Sequence, residues 1–530
     1  MFTSRENAGM KNAKAKLALE IIVLIVCCVA TGIYLGSFKE ISFCDEAYTY
    51  ESANALNKER VFDRVGEWLT GEDFNDYFAA TEWNPRFKWL NMVLWPDHVP
   101  GYFYLFRLVS IAFFFGNATK WTGLAINIVL HAIFTIWIFL QLRSVFKKDE
   151  LPFFITFLYA LASPLILNQV LLIRMYLLLS FECLLLLKVE VRLLSCRSRR
   201  TWIMFGILNV FGFLTHYYYW IYFACLSGCV ACVMLKRKEF KTIIGAGLLT
   251  IADLGIVTLI YKYWVTNLLI GKGRQSIKNI LRMQEVMDRL KWGIERVCGY
   301  IFHNSYVGCY VIFCAVLIIL IVWLVKKRKL EENVRNSAIL GIVSMNLYLV
   351  AVSISAPTQE DRYLIPAASV LLLVAMVLVG MCLREVHCRY GVCILLTVVA
   401  LFAEYRSVVE LKHISVTRQD GQRIAVLKEN ADIPWLVHLQ QEGAVGWMEM
   451  CSAFEWLIPE RICILSDGIY PKNDEILQSA SELLVYVSEE KLEEMVANLQ
   501  SIGINVDACD RISQSYYCVY KLQLSHSSRN

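Results

Sequence analysis

Long apolar runs alternate with short polar linkers along the chain as far as residue 404. Most of the runs are about 17 to 25 residues long, the length that an α-helix needs to cross roughly 30 Å of hydrocarbon. The pattern predicts a mainly α, polytopic transmembrane bundle of about 11 to 13 helices. The first run extends from Leu17 to Leu35, and the others lie near 101–116, 120–142, 151–166, 171–194, 202–215, 217–235, 243–264, 299–325, 337–355, 362–383 and 390–404.

The composition agrees with this interpretation. Of the 530 residues, 57% are hydrophobic and only 19% are charged, whereas soluble domains carry about 25% charged residues. These values exclude a soluble enzyme, a disordered chain and a fibrous repeat. The net charge of +5 is small and unevenly distributed, so the expected partner is the lipid bilayer and not nucleic acid.

Basic residues cluster in the N-terminal tail and in four short linkers. The positive-inside rule places all of these in the cytoplasm. The polar segments between them then face outward, so we expect a multi-pass cell-membrane protein with a cytoplasmic N-terminus and a transmembrane domain over 17–404. The tail is 1–16, the basic linkers are 143–148, 197–200, 236–241 and 326–329, and the outward segments are 41–99, 265–298 and 405–530.

One part of this topology is inconsistent. Two apolar runs lie between the outward segment 41–99 and the basic linker 143–148, where the charge rule requires an odd number. The run 101–116 is short and contains Arg107. Either this run is re-entrant or one assignment is in error.

The two outward segments differ in charge. Segment 41–99 holds eleven acidic and five basic residues with recurrent aromatic residues, as is typical of an outer loop. Segment 265–298 holds seven Lys and Arg against three acids, and its apolar residues recur at helical spacing. It is therefore expected to form an amphipathic interfacial helix, which binds either lipid headgroups or an anionic ligand.

Residues 405–530 are mixed in composition and predict a small extracytoplasmic α/β domain. Strand-like runs lie at 461–465, 483–487 and 516–522, with a helical stretch at 489–502. If this domain lies outside the cell, its cysteines could form disulfides, although the sequence does not pair them. They are Cys451, Cys463, Cys509 and Cys518.

Charged residues at membrane level are costly unless they are paired or face a polar cavity, so each is a functional candidate. Asp45 and Glu46 follow the first apolar run. Two adjacent carboxylates can supply a general base or a metal ligand, and they can also simply begin a helix. Arg174 lies in an apolar stretch and needs an anionic partner, either a carboxylate or a phosphate. Arg362 could grip a phosphate or extend to the headgroups.

These residues belong to short motifs, and the order of the motifs along the chain is informative. After the acidic pair come His98-Val-Pro-Gly-Tyr102, Arg174-Met175-Tyr176, Thr215-His216-Tyr217-Tyr218 and Arg362-Tyr363-Leu-x-Pro366. In this order the chain resembles the membrane-embedded glycosyltransferases related to protein O-mannosyltransferases and to bacterial lipid A aminoarabinose transferase. The resemblance covers roughly residues 17 to 404. The His-Pro-Pro-Leu-Tyr-Tyr motif of that family appears here as His98-Val-Pro-Gly-Tyr-Phe103.

The resemblance implies a GT-C type fold and an inverting transferase that moves a sugar from a polyprenyl-phosphate donor to a lipid, polysaccharide or protein acceptor on the outer face. Asp45 would be the base and Glu46 would assist it; the pair could also hold a divalent metal, and no other cofactor is expected. The donor phosphate would bind Arg174, Arg362, Lys272 and Arg274. The sugar and acceptor pocket would be lined by Tyr48, His98, Tyr102, Tyr176, His216, Tyr217 and Asp361.

Two other classes of membrane protein remain as alternatives. A transporter or lipid flippase would also use intramembrane arginines, but the chain shows no inverted repeat, and its outward polar groups cluster on one face. A polysaccharide polymerase or ligase would place its key residues in a large late loop, whereas the acidic pair here comes early.

Overall fold

The computed structural model describes residues 2–39, 44–55, 58–81, 99–147, 149–269, 272–303, 306–384, 395, 398–399, 402, 405–410, 421–438, 455–466, 471, 475–514 and 518–526. Within these ranges a bundle of α-helices is joined to a six-stranded sheet. The predicted fold class, a helical membrane bundle with a small α/β domain, is confirmed.

The bundle contains helices of two kinds, long apolar ones and shorter ones at their ends. In chain order they are α1 (Phe2–Ser37), α2 (Cys44–Asn54), α3 (Gly71–Phe78), α4 (Gly101–Phe114), α5 (Lys120–Phe146), α6 (Leu151–Ala160), α7 (Pro164–Leu171), α8 (Tyr176–Ser195), α9 (Arg199–Thr215), α10 (Tyr217–Lys236), α11 (Phe240–Ile260), α12 (Trp264–Leu269), α13 (Lys272–Leu281), α14 (Val286–Phe302), α15 (Val307–Lys326), α16 (Glu332–Ser355) and α17 (Ile365–Leu383).

Seven helical segments of the described chain are long and apolar enough to cross a membrane: those containing α1, α5, α10, α11, α15, α16 and α17. The pair α6 and α7 is an eighth candidate, bent by 55°. The bend follows from Pro164, which has no N–H for the helix ladder and forces Ser163 into an extended conformation. Of the predicted runs, 299–325 is divided into the end of α14 and α15, and most of 390–404 lies outside the described residues.

The inconsistency in the predicted topology disappears at α4. With 14 residues this helix is about 21 Å long, which is too short to cross the hydrocarbon. The Arg107 guanidinium on α4 donates to the carbonyl of Ala53 in α2, at 3.1 Å. Because α4 is not a span, α5 alone connects the first outer segment to the basic linker at 143–148, as the charge rule requires.

Ion pairs gather the basic linkers at one end of the bundle, which we call the basic end. Lys147 pairs with Glu331 at 3.0 Å and Arg237 with Glu332 at 3.2 Å, so the linkers after α5 and α10 meet the start of α16. Further pairs at this end are Arg143–Glu20, Lys16–Glu150, Arg197–Glu239 and Arg384–Asp149.

The outward segment 265–298 is divided into three helices, α12, α13 and most of α14, in place of the single amphipathic helix that we expected. Asn279 of α13 and Arg289 of α14 both donate to the carbonyl of Ala356, at 2.8 and 2.9 Å. These bonds satisfy the carbonyl at the C-terminal end of α16. They also fix the segment above the link between α16 and α17.

The sheet combines a strand from the first loop with five strands from the C-terminal region. Its order is β1–β3–β2–β4–β6–β5, with β2 parallel to β3 and β4 and the other neighbours antiparallel. The strands are β1 (Trp68–Leu69), β2 (Trp435–His438), β3 (Ile462–Leu465), β4 (Glu482–Val487), β5 (Ile504–Gln514) and β6 (Cys518–His526), and the helices are α18 (Gly421–Glu429), α19 (Glu475–Ser479) and α20 (Leu492–Ser501).

Of the cysteines that we considered for disulfides, Cys509 and Cys518 are free thiols in the described part of the chain, and Cys463 and Cys518 are buried. Cys451 lies outside the described residues.

The first loop and the C-terminal domain pack as one body. Trp68 pairs with Cys463 across the β1–β3 ladder, and Phe74 of α3 stacks on Trp456 with ring centroids 5.7 Å apart. Thr70 caps the start of α3, which carries Phe74: its hydroxyl accepts from the N–H of Asp73 in a capping box. The domain therefore lies on the same side of the bundle as α2 and its acidic pair.

Gly71 permits this close packing, since a Cβ there would lie 2.5 Å from the carbonyl oxygen of Leu457. We expect Gly71→Ala to destabilise the contact by about 1–3 kcal/mol and to lower the Tm of the detergent-purified protein. The matched control is Gly228→Ala in α10, where a Cβ meets nothing within 4 Å. An unchanged Tm and unchanged protease resistance of the loop in Gly71→Ala would contradict this account.

Candidate active site

Polar side chains from four parts of the chain meet at the end of the bundle opposite the basic end. They come from the start of α2, the turn between α7 and α8, the junction of α9 and α10, and the 3₁₀ turn Asp361–Leu364 before α17. Helix ends are suited to this role because their terminal N–H and C=O groups need partners. We describe this cluster residue by residue.

An ion pair between Asp45 and Arg362 lies at the centre of the cluster. The Asp45 Oδ2 and Arg362 Nη2 atoms are 2.6 Å apart, and only 13% and 15% of the two side chains is exposed. Arg362 Nη1 also contacts Glu360 Oε2 at 3.2 Å, and its guanidinium lies over the ring of Tyr363. The Coulomb attraction of an ion pair with so little solvent exceeds that of a surface ion pair. Asp45 and Arg362, both predicted site residues, are therefore in direct contact.

Glu46 points away from Asp45 and is fully buried. Its Oε2 atom accepts from Lys39 Nζ at 2.9 Å, and its Oε1 atom accepts from the N–H of Ile173 at 2.6 Å. Both carboxylate oxygens are thus engaged by the protein. Glu46 thereby links the end of α1 to the turn before α8.

Thr49 connects Arg174 to the same helix. Arg174 Nη1 donates to Thr49 Oγ1 at 3.2 Å, and that hydroxyl lies 3.1 Å from the carbonyl oxygen of Ile173. The Arg174 side chain is only 2% exposed. The sequence analysis missed Thr49, although its position one helical turn after Asp45 places it on the same face of α2.

A row of aromatic rings forms one wall of the cluster. The ring centroids of Tyr176 and His216 are 5.6 Å apart, those of His216 and Tyr218 are 4.8 Å apart, and those of Tyr218 and Tyr363 are 4.6 Å apart. His216 Nδ1 accepts from the N–H of Tyr218 at 3.0 Å and caps α10. In the neutral ring the proton is therefore on Nε2.

Two rings of this row, Tyr218 and Tyr363, were not selected from the sequence: Tyr217 was chosen instead of its neighbour Tyr218, and Asp361 and Arg362 were chosen from the motif that contains Tyr363. The Tyr217 hydroxyl instead accepts from Asn267 of α12 at 3.3 Å. Successive residues of a helix point about 100° apart, so the choice among Tyr217, Tyr218 and Tyr219 depends on how α10 is rotated. That rotation depends on tertiary packing and is not visible in the motif.

The remaining predicted residues occupy different positions. Tyr102 is fully buried beneath the cluster with its hydroxyl 3.5 Å from Asn127 Oδ1, and Tyr48 is half-buried on α2. His98 and the side chain of Lys272 lie outside the described residues. Arg274 is exposed on α13.

The outward segment reaches the cluster through a residue that the sequence analysis did not select. Arg296 Nε lies 3.2 Å from Asp361 Oδ1, and Asp361 immediately precedes Arg362. Both side chains are about half exposed, at 52% and 47%. The contact places a basic face of α14 next to the candidate site.

The far end of α2 is also held firmly. Glu51 accepts from Arg60 Nε at 3.0 Å and from the Tyr77 hydroxyl at 2.5 Å. Burial of the Tyr77 hydroxyl, together with the adjacent Glu51 carboxylate, raises the pKa of Tyr77 well above its ordinary value. Tyr77 therefore remains a neutral donor that anchors the helix carrying Asp45.

Asp45 and Glu46 do not form a suitable site for the divalent metal that we considered. Their carboxylates diverge, one toward Arg362 and the other toward Lys39. Among the residues that the structure describes, no group of three or more His, Cys, Asp or Glu side chains is placed to hold a metal ion. We derive no step through a metal.

No protein-family model matches the sequence, and no curated protein matches it. The solved structures that are similar in fold include two crystal structures of ArnT from Cupriavidus metallidurans, one bound to undecaprenyl phosphate and one in the apo state. Their TM-scores are 0.53 and 0.52 at 10% sequence identity, with 96% of this chain and 98% of theirs covered. The likeness confirms the predicted GT-C type fold for nearly the whole chain.

The buried Lys39–Glu46 pair generates a stability prediction. Glu46→Gln keeps an acceptor for the Ile173 N–H but leaves the Lys39 ammonium buried without its counter-charge, so we expect a loss of about 3–5 kcal/mol and a lower Tm. Replacing both residues, as Lys39→Met with Glu46→Gln, removes both charges and should recover most of that loss. Equal Tm values for the single and the double variant would contradict the structural role of the pair.

Proposed function

We propose that the protein is an integral membrane glycosyltransferase that moves a sugar from a polyprenyl-phosphate donor to an acceptor at the outer membrane face. The observation that carries this proposal is the contact of Asp45 with Arg362, beside the buried Arg174, at one end of a bundle with the ArnT fold. One carboxylate and two guanidinium groups are the chemistry that such a transfer needs. The ArnT structure bound to undecaprenyl phosphate supports the class of donor.

In the proposed reaction the Asp45 carboxylate takes the proton from an acceptor hydroxyl. The acceptor oxygen attacks the anomeric carbon from the side opposite the phosphate and forms the new glycosidic bond. The bond between the anomeric carbon and the phosphate oxygen breaks, and its electron pair stays on the phosphate. Arg362 and Arg174 stabilise the negative charge that develops there, and the configuration at carbon is inverted.

The Asp45–Arg362 ion pair gives this reaction an order. The guanidinium of Arg362 covers the Oδ2 atom of Asp45 at 2.6 Å, so that oxygen is not open to an acceptor hydroxyl. A donor phosphate that engages Arg362 bidentately competes for the same N–H groups. Donor binding then frees Asp45 to accept the acceptor proton, so the base becomes active only when the leaving group is in place.

The aromatic row and the neighbouring outward segment suit the rest of the substrates. Tyr176, His216, Tyr218 and Tyr363 present ring faces and polar edges, which suit the apolar and hydroxyl surfaces of a sugar. Asp361 and the half-buried Tyr48 are further pocket candidates. Lys272 and Arg274 remain candidates for contact with the phosphate, and Arg296 joins them because of its bond to Asp361.

One observation favours the alternative of a transporter or lipid flippase. Glu182, Glu190 and Asp253 are buried carboxylates within the helix bundle, as is typical of ion pathways. Each of them, however, accepts a hydrogen bond from a neighbouring helix: Glu182 from Thr215, Glu190 from Ser227 and Asp253 from Asn209. These bonds also fit a structural role, and the transferase assay below separates the two functions.

The purified protein should release free polyprenyl phosphate from one member of a panel of polyprenyl-phosphate sugars, with water as a poor acceptor or with crude envelope lipids added. We expect Asp45→Asn to lower the rate of release by at least about 100-fold, since the general base is lost. The matched control is Asp288→Asn, which removes an exposed carboxylate on α14. Full release by Asp45→Asn would overturn the role of Asp45, and no release from any donor with envelope lipids present would favour the transporter.

The guanidinium of Arg362 should matter more than the exposed charge of Arg274. We expect Arg362→Gln to lower kcat/KM for the sugar donor by roughly 100-fold, because the guanidinium that stabilises the leaving phosphate is removed. Arg274→Gln, an equal charge change at an exposed position of α13, should lower kcat/KM only a few-fold, since water screens an exposed charge. The reverse pattern would place the phosphate at the outward segment and away from Asp45.

A further inference from the structure

A second cavity lies near the basic end, far along the bundle from Asp45. It has a volume of about 550 Å³ and is enclosed by the last turns of α5 and α8, the first turns of α16 and the second half of α17. Volumes of this order are typical of ligand sites. The proposed transferase chemistry uses none of the residues that line it.

Most of the wall is apolar, but two cations project at its mouth. Lys188 and Arg192 both line the cavity and are four residues apart on α8, so they lie on the same face of that helix. Lys188 is half-buried, donates to Gln141 Oε1 and lies 5.6 Å from the ring centroid of Trp137; Arg192 is exposed. Like charges at this spacing destabilise a helix unless an anion compensates them.

The protein supplies no such anion within the part of the chain that the structure describes. Neither Lys188 nor Arg192 has a carboxylate within 4 Å there, and the charged neighbour of Lys188 is Arg192 itself. Glu190, which lies between them in sequence, faces α10 and accepts from Ser227. Glu331 at the rim of the cavity is paired with Lys147 at 3.0 Å.

Four other cations of the basic end are placed differently. Arg143, Lys147, Arg197 and Arg237 all have carboxylate partners from neighbouring helices. These four cations are therefore paired where two helix ends meet. Lys188 and Arg192, at the mouth of an apolar cavity, are left for an anion from outside the chain.

We propose that this cavity binds an anionic phospholipid of the leaflet at the basic end, with the phosphate between Lys188 and Arg192 and acyl chain carbons against the apolar walls. Basic pockets between transmembrane helices recognise anionic headgroups in this way. The ring of Trp137 beside Lys188 suits the level of the headgroups, where tryptophan is enriched. Ser195 and Ser337, which also line the cavity, add hydroxyl groups near the mouth.

The experiment uses the full chain, purified in detergent and stripped of lipid, and titrates it with phosphatidylglycerol or phosphatidylcholine of identical acyl chains in native mass spectrometry. We expect one copy of phosphatidylglycerol to bind preferentially. The double variant Lys188→Gln with Arg192→Gln should weaken that copy by about thirtyfold, since each basic residue near a headgroup contributes to lipid binding. The control is Arg199→Gln with Arg200→Gln, an equal charge change at two exposed residues of the same end.

Ser337→Glu tests the same site without removing a cation, because its carboxylate would compete with the lipid phosphate; it should also weaken phosphatidylglycerol. Circular dichroism of each variant establishes that it is folded. Equal binding by the wild type and both folded variants would overturn the proposal. So would equal binding of phosphatidylcholine, which would indicate an unselective apolar pocket. Displacement of the bound lipid by millimolar inorganic phosphate would also overturn it and indicate a site for a soluble anion.

Discussion

Charged side chains that are buried near a membrane must meet a counter-charge, and this constraint organises the functional end of the protein. Asp45 and Glu46 are adjacent in sequence, so their side chains leave α2 in different directions. Glu46 meets Lys39 and the turn before α8, whereas Asp45 meets Arg362 at the start of α17. Two neighbouring carboxylates thereby join the first helix, the middle of the bundle and its last described helix.

The same constraint places Glu46 and Asp45 in ion pairs of different exposure. The Lys39–Glu46 pair is fully enclosed, so its geometry is permanent. The Asp45–Arg362 pair retains some exposure, and a guanidinium carries five N–H donors in a fixed fork that suits an anionic ligand. A rigid pair thus fixes the position of a second pair that can exchange partners. This combination suits a site whose base is needed only after a charged substrate has arrived.

The sequence predicted the features that depend on composition and local pattern. Apolar runs marked the membrane helices, basic linkers marked one end, and isolated polar residues marked Asp45, Arg174, His216 and Arg362 as candidates. It could not predict features that depend on helix rotation or long-range pairing. Tyr218 was missed because the α10 motif offers three consecutive tyrosines, Tyr363 because its contact with Tyr218 joins distant parts of the chain, and Arg296 because Lys272 and Arg274 carry the same charge. β1 has only two residues and no periodicity of its own, so nothing in the first loop showed that it pairs with β3.

The mixed origin of the sheet has a consequence for biosynthesis. The domain at the end of the chain is completed by a strand made near its beginning, and all the described membrane helices after α3 are translated in between. Domains fold as units while the chain emerges, yet this one cannot close until both segments have reached the same compartment. The loop that carries the acidic pair therefore acquires its final support last. The sheet can be completed only if the intervening helices cross the membrane the correct number of times. A chain inserted with one helix too few would leave β1 and β3 on opposite sides of the bilayer, and the two strands could not pair.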